Sequence, residues 1–288
     1  MKVGLALRST VFSPSVVAKV IPLLERSGVD SVWFPAPRQL FDALDMCGIS
    51  LGKSERLRVG TGVIRFTDYD VPHLLARLYT LNEGSGRRFI LGIGTGAATG
   101  RPAIDELVDF ADRLRADYPE QQKPPVFFAA LRQRILRAAY LNAEGAILNF
   151  CPPGYVQKIV PKDLDARGFT LACYIKLFFA EKDAVAKKML IDEIRTYDSL
   201  PQYHAMFEEN GSSDSISKLD PESARDIPDD LLEISSANPD DDDVGRILGR
   251  FGRVGVNLPI IYPYVSGDDK YKVAVAERLA SIITRDWR

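Results

Sequence analysis

Histidine is almost missing from this chain: His73 and His204 are the only two in 288 residues. A histidine-rich metal centre is excluded, and a Ser-His-Asp arrangement would have just these two to draw on. Cysteine is equally scarce. Cys47, Cys151 and Cys173 are widely spaced and fall in no ligand motif, which argues against a zinc site or a disulfide scaffold and for a reducing, cytoplasmic setting. No apolar run approaches bilayer length; Leu177 to Ala180 is typical. A strand pattern begins within two residues of Met1, leaving no room for a signal peptide. No charge sign dominates: 37 Lys and Arg face 39 Asp and Glu, a net charge of −2. Without a basic block or a basic-aromatic stripe, nucleic acid is not an expected partner, and neither is a membrane.

What is present is an ordinary globular composition, 46% hydrophobic and 26% charged, with a strand-helix rhythm. The most informative runs are Leu57 to Ile64 and Arg88 to Gly96, apolar and β-branched, each ending in alternating glycines. Buried parallel strands read this way, because both faces are covered. Glycines at such an end let backbone or ligand approach closely. Val3 to Leu7, Val29 to Pro35, Phe89 to Gly94, Val126 to Leu131, Gly145 to Phe150, Phe169 to Ala180 and Val254 to Tyr262 complete the strand set with Leu57 to Ile64. Helical patterns intervene. Ser13-Pro14 opens the first and Gly28 closes it, with Pro22 inside as an expected bend. Eight units of this kind predict an α/β fold, a closed (β/α)8 TIM barrel forming one domain over residues 1–288. Residues 198–238 break the rhythm, after a seventh helix over Asp183 to Tyr197, and are expected to be a helical insertion between units seven and eight.

In such a barrel the site lies at the C-terminal strand ends. Here that face comprises Arg8 and Ser9; Pro35 to Arg38; Gly62 to Phe66; Thr95 to Thr99; Ala129 to Gln133; Asn149 to Pro153; and Pro263 to Ser266. It holds no Asp, Glu or His, so proton-transfer chemistry lacks an obvious acid or base, and a bound cofactor is expected to carry the reaction. Gly92, Gly94 and Gly96 do not have dinucleotide-binding spacing, and packing of a tight strand end explains them as readily as ligand contact. Ala129-Ala130-Leu131-Arg132 turns into a helix whose N-terminus suits an anion, or is a plain tight turn. Lys176, within the seventh strand, suits a Schiff-base lysine, although a wetter strand face is the commoner setting. Asp240 to Asp243 complement a helix dipole rather than bind metal. His73 reads as surface, His204 as the lining of a lid, and Arg87-Arg88 as a solvated pair.

Several stretches together resemble the bacterial luciferase-like oxidoreductases. Gly28-Val29-Asp30-Ser31-Val32-Trp33 is similar to their Gly-Phe-Asp-Ser-Val-Trp signature, and Arg56 to Val63 to their third strand. Arg87 to Gly96 resembles their Gly-Arg-Phe-x-Leu-Gly-x-Gly run, and Pro125 to Ala130 with Ala143 to Ala146 their Pro-Pro-(apolar)-Ala-Ala and Ala-Asp-Gly elements. Tyr203 to Gly211 resembles the helical insertion before their last strand.

The resemblance implies a barrel that binds the deazaflavin coenzyme F-420 or, alternatively, reduced FMN. It implies a non-prolyl cis peptide at Gly62-Val63 behind the ring, a phosphate region over Ala129 to Arg132 and Asn149 to Cys151, and barrels paired as homodimers. The expected cofactor-binding set is Pro35, Thr61, Gly62, Val63, Gly94, Thr95, Ala129, Ala130, Leu131, Arg132, Asn149, Phe150 and Cys151. Thr61, Thr95 and Asn149 are expected to hydrogen-bond ring or tail, and Arg132 to hold phosphate. Catalytic residues do not carry over. Pro35-Ala36-Pro37 stands where many members have Asp, His or Trp, and Ala97-Ala98-Thr99-Gly100 where many have Glu. The expected activity is hydride transfer between F-420 and a small organic substrate. A reduced-FMN monooxygenase and a non-catalytic flavin-binding relative are the alternatives.

Overall fold

Hydrogen bonding alone shows the sheet to be closed. In this computed structural model, which describes residues 2–36, 40–96, 98, 100–116, 118, 123–163, 166–220 and 227–285, the strands are β1 (Gly4–Ala6), β2 (Ser31–Phe34), β3 (Arg58–Thr61), β4 (Ile64–Arg65), β5 (Phe89–Gly94), β6 (Val126–Ala129), β7 (Gly145–Asn149), β8 (Thr170–Ala180), β9 (Ser236–Ala237) and β10 (Leu258–Ser266). Parallel pairing runs β1-β2-β3-β5-β6-β7-β8-β10 and returns from β10 to β1. This is an eight-stranded (β/α)8 TIM barrel, as expected. Strand β4 continues β3 along β5, and β9 adds to the free edge of β8.

Helices α1 (Pro14–Ser27), α2 (Ala43–Leu51), α3 (Val71–Glu83), α4 (Gly100–Ala116), α5 (Gln133–Asn142), α6 (Pro153–Ile159), α7 (Asp183–Asp198), α8 (Pro201–Asn210), α9 (Ser213–Ser217), α10 (Asp229–Leu232), α11 (Asp241–Arg253) and α12 (Asp269–Ile283) complete the fold. Their ends follow local chemistry. The Ser13 hydroxyl accepts from the Val16 N–H, and Gly28 closes α1 at φ +81°. The helix runs on through Pro22. Asp240 and Asp243 form a reciprocal capping box on α11, so this acidic run is a helix start. Arg88 departs from the expectation of a solvated pair. Its guanidinium donates to the carbonyls of Leu51, Ser54, Leu57 and Ser85 and to the Ser54 hydroxyl, tying the α2–β3 and α3–β5 connections at the N-terminal end of the barrel.

The lumen is filled by alternating large and small residues. Trp33 occupies the space left by Gly60, whose added Cβ would lie 2.6 Å from the indole. Phe127 packs on Trp33 at 5.6 Å and fills the space beside Gly145. Tyr174 crosses from β8 to β3, placing its hydroxyl where a Gly62 side chain would stand. Gly92 and Gly94 are likewise closed off, by the Thr61 carbonyl and by Val63 and Ala129. At these glycines the strand ends are closely packed, with no room for a side chain.

Two boundaries move. The run Leu57 to Ile64 breaks after Thr61, where the Gly62-Val63 peptide is cis, as the resemblance implies. The last strand starts at Leu258, four residues later than expected and running to Ser266. Val254 caps α11, Gly255 turns at φ +93°, and the Asn257 side chain bridges the Leu171 N–H and the Phe169 carbonyl before the strand begins. Pro263 to Ser266 are therefore strand, not the loop beyond it.

The β8–β10 ladder continues to Ala180 and Ser266, whereas β7 leaves β8 at Tyr174 and β1 leaves β10 at Leu5. The two strands thus project above the mouth. Helix α7 packs back on this projection, against β8, β9 and β10, and its last turns reach the mouth. The outer ring beside α12 is continued by α11. The helix expected to flank the seventh strand is therefore the first element over the C-terminal opening. Residues 221–226 of the expected insertion lie outside the described residues.

Candidate active site at the barrel mouth

Side chains at alternate positions of a strand share a face, so Tyr174, Lys176 and Phe178 follow one another up the lumen side of β8. Their partners on β10 are Ile260, Tyr262 and Tyr264. Lys176 is fully buried, not on a wetter face as expected. Its Nζ donates to Glu193 of α7 and, at 3.2 Å, to the Tyr264 hydroxyl. Four rings surround the ammonium: Tyr197 at 3.7 Å, Phe150 at 4.8 Å, Tyr264 at 5.3 Å and Tyr262 at 5.6 Å. The Tyr264 hydroxyl also donates to Glu193, at 2.5 Å. The strand ends themselves bring no acid, but α7 supplies one. Sequence reading missed it because a helix was expected to lie outside the barrel there. The alternation Tyr262-x-Tyr264 is the one signal that could have placed both rings beside Lys176, had the strand not been ended at Tyr262.

The network extends in both directions. Asn149 donates to the Tyr197 and Tyr203 hydroxyls at 3.1 and 2.7 Å, so α7 and α8 are both tied to the end of β7. Phe150, at φ +56°, turns its ring beneath Lys176 and against Tyr197 and Phe207. On the other side, the Arg8 guanidinium stacks over Tyr264 at 5.2 Å. Arg8 lies two residues beyond the end of β1, on the side of the barrel where β1 pairs with β10.

The expected cofactor-binding residues separate into two groups. Val63, Gly94 and Ala129 come together: a Cβ on Gly94 would lie 2.9 Å from both Val63 and Ala129. With Thr95 they form a small, half-buried patch at the ends of β3 and β5. Others are spent within the protein. The Thr61 hydroxyl donates to the Gly92 carbonyl and accepts from the Gly92 N–H, both at 2.9 Å, and is buried. It is not free to hold a ring. The Gly62 N–H donates to Phe34, and Pro35 is buried behind it. Arg132 pairs with Glu209 and reaches the Tyr155 hydroxyl, which itself donates to the Leu131 carbonyl. The Ala130 N–H is bonded to Ile147. Arg132 stands at the N-terminus of α5 without a side-chain cap, so backbone N–H groups there remain for an anion. Pro37, Arg38, Ala97 and Thr99 of the expected face lie outside the described residues. His204 is exposed and bonds Asp198 instead of lining a lid, and His73 is exposed beside Asp70.

Cys151 is buried, its Sγ donating to the Asn149 carbonyl at 3.6 Å, and burial pushes its thiol up to about 12. Cys47 and Cys173 are buried and raised for the same reason. Because the thiolate is the reactive form, Ellman's reagent at pH 8 is expected to modify none of the three until denaturant is added. Stoichiometric labelling of the native protein would show that the mouth or the core opens.

Against known proteins, the sequence profile of the luciferase-like monooxygenases matches residues 1–115. No curated protein sequence matches. Among solved structures, the coenzyme F-420-dependent tetrahydromethanopterin reductase from Methanopyrus kandleri superposes with a TM-score of 0.71 at 16% identity, over 99% of this chain and 97% of that one. An F-420-dependent secondary alcohol dehydrogenase, in complex with an F-420-acetone adduct, gives 0.73 at 14% identity over 99% of both chains. The oxygenating constituent of 3,6-diketocamphane monooxygenase from the CAM plasmid of Pseudomonas putida, a type II Baeyer-Villiger monooxygenase in complex with FMN, gives 0.62 at 14% identity over 99% and 97%. The chain therefore shares the (β/α)8 barrel fold of these proteins along its whole length, and its first 115 residues match the luciferase-like profile.

Proposed function

We propose that this protein is an oxidoreductase that transfers hydride between the deazaflavin coenzyme F-420 and a small organic substrate at the C-terminal mouth. The observation that carries the reading is that the whole chain superposes better on the two F-420 enzymes, at 0.71 and 0.73, than on the FMN monooxygenase, at 0.62. A planar ring at the mouth would find two supports there. Val63 and the Gly94–Ala129 contact give it a flat, half-buried wall, and the Tyr174 hydroxyl is a buried polar atom without a partner beneath that wall. The open N-terminus of α5 suits a phosphate, with Glu209 competing for Arg132.

When bound, the deazaflavin would supply hydride exchange. The remaining work falls to the protein. Val63 and Ala129 would orient the ring. Helices α7 and α8, held by Asn149 through Tyr197 and Tyr203, would exclude water from the reacting face. Glu193, partly reachable by solvent and bonded to Lys176 and Tyr264, would return a proton to Tyr264 as that hydroxyl gives its own to a substrate oxygen gaining negative charge, and would take one from it in the reverse direction as the hydroxyl accepts the substrate's proton. The reduced-FMN monooxygenase is the second reading, favoured by the profile matched over residues 1–115.

Parallel fluorescence titrations with F-420 and FMN test the choice. F-420 is expected to bind at least about tenfold more tightly, a difference of about 1.4 kcal/mol. The reverse preference, with oxygen uptake dependent on reduced FMN, would establish the monooxygenase reading. Binding of neither would remove the cofactor argument and leave a cofactor-free or degenerate relative as the reading.

A further inference from the structure

Among the described residues, Arg8 is the cation at the mouth without an ion-pair partner. Arg65 pairs with Asp68, Arg132 with Glu209, and Lys176 with Glu193. No described carboxylate lies within ion-pair distance of Arg8, and its Nε is buried without a hydrogen-bond partner. Stacking on Tyr264 uses only the flat face of the guanidinium. Its N–H donors lie in the plane, along the edge, and stay available. Glu193, the carboxylate nearest this network, already accepts from Lys176 and from Tyr264. Among the described residues, two cations and one anion thus converge on the Tyr262–Tyr264 pair, with one positive charge in excess. A half-buried guanidinium with an orphaned donor is costly unless an anion completes it, and its fork matches the paired oxygens of a carboxylate or phosphate.

We infer that Arg8 is an anion-binding subsite of the barrel mouth, taking a carboxylate or phosphate group at the ends of β1 and β10. It rests on the proposed function only for the origin of that group, which is either the substrate or the acidic tail of a cofactor. The group would dock against the Arg8 edge beside Tyr264, on the side of the mouth away from α5.

Arginine Nε–Hε resonances of the full-length 15N-labelled protein test this without turnover. The Arg8 resonance is identified as the one lost in Arg8→Lys. Titration with sodium acetate, and separately with inorganic phosphate, at constant ionic strength in chloride, is expected to shift that resonance saturably while the other arginines stay put. Arg8→Gln is expected to weaken acetate binding at least about tenfold, read as saturation transfer to the acetate methyl, and Arg8→Lys less, because it keeps the charge but not the fork. A resonance that does not move, or follows total salt alone, overturns the inference, as does Arg8→Gln binding acetate like the parent. Repeating the titration with saturating F-420 separates the sources. A retained acetate response assigns the anion to the substrate, and a lost one to the cofactor. Failure of F-420 to bind overturns the functional reading while leaving the acetate result to stand by itself.

Discussion

Replacing Glu193 by alanine is expected to destabilise the fold by about 3–5 kcal/mol, because it leaves the Lys176 ammonium buried without its counter-charge. Lys176 has no exposed surface, whereas the Glu193 side chain is 16% exposed. That asymmetry sets the order of effects. Lys176→Met leaves Glu193 in reach of water and still bonded to Tyr264, so it should cost clearly less, about 1–2 kcal/mol. The double replacement Lys176→Met with Glu193→Leu removes both charges and should recover most of the Glu193→Ala loss, as apolar substitutes for buried pairs commonly do. Urea unfolding at pH 7 measures all three, and the double-mutant cycle isolates the pair. The four rings around the ammonium offset part of the loss. A Glu193→Ala cost below about 1 kcal/mol would show that Lys176 finds water, and so that α7 does not close the mouth.

That cluster also shows where sequence stops being informative. The barrel was legible because parallel strands buried on both faces, separated by capped amphipathic helices, leave a pattern within short windows of chain. Ser13-Pro14, Gly28 and Asp240 to Asp243 do at their helix ends what their chemistry dictates. The position of the face was legible too, since it follows from topology. The occupation of that face was not. Thr61 looked like a ligand donor, and only the packing of β3 on β5 reveals that Gly92 consumes it. Lys176 sits in an apolar run that gives no hint of a carboxylate seventeen positions on, because Glu193 reaches it from a helix that doubles back over the mouth. Arg88 looked solvated because the carbonyls it ties together belong to residues 31 to 37 positions away. Each of these depends on which distant elements meet, a property that no local period encodes.

Gly62→Ala is expected to be strongly destabilising. An added Cβ would stand 1.5 Å from the Tyr174 hydroxyl oxygen and 2.8 Å from its ring carbon. Tyr174 is held between β8 and Tyr262, so it has no room to swing, and the cost should reach about 3 kcal/mol or more. The clash is with one side chain, and that makes it reversible by design. Tyr174→Phe alone should be neutral or slightly stabilising, because the hydroxyl it removes is buried and has no partner. Combined with Gly62→Ala, it should restore part of the loss, and Tyr174→Leu should restore more. Gly92→Ala provides the contrast. Its Cβ would meet the Thr61 carbonyl oxygen at 2.1 Å, which is backbone, so no substitution at a neighbouring side chain should rescue it. Thermal and urea unfolding of these variants, and of Gly92→Ala combined with Tyr174→Leu, measure this. Rescue of Gly62→Ala without rescue of Gly92→Ala would establish that Tyr174 fills the lumen from across the barrel. An unperturbed Gly62→Ala protein would instead mean that Tyr174 points elsewhere, and with it would go the floor of the proposed ring site.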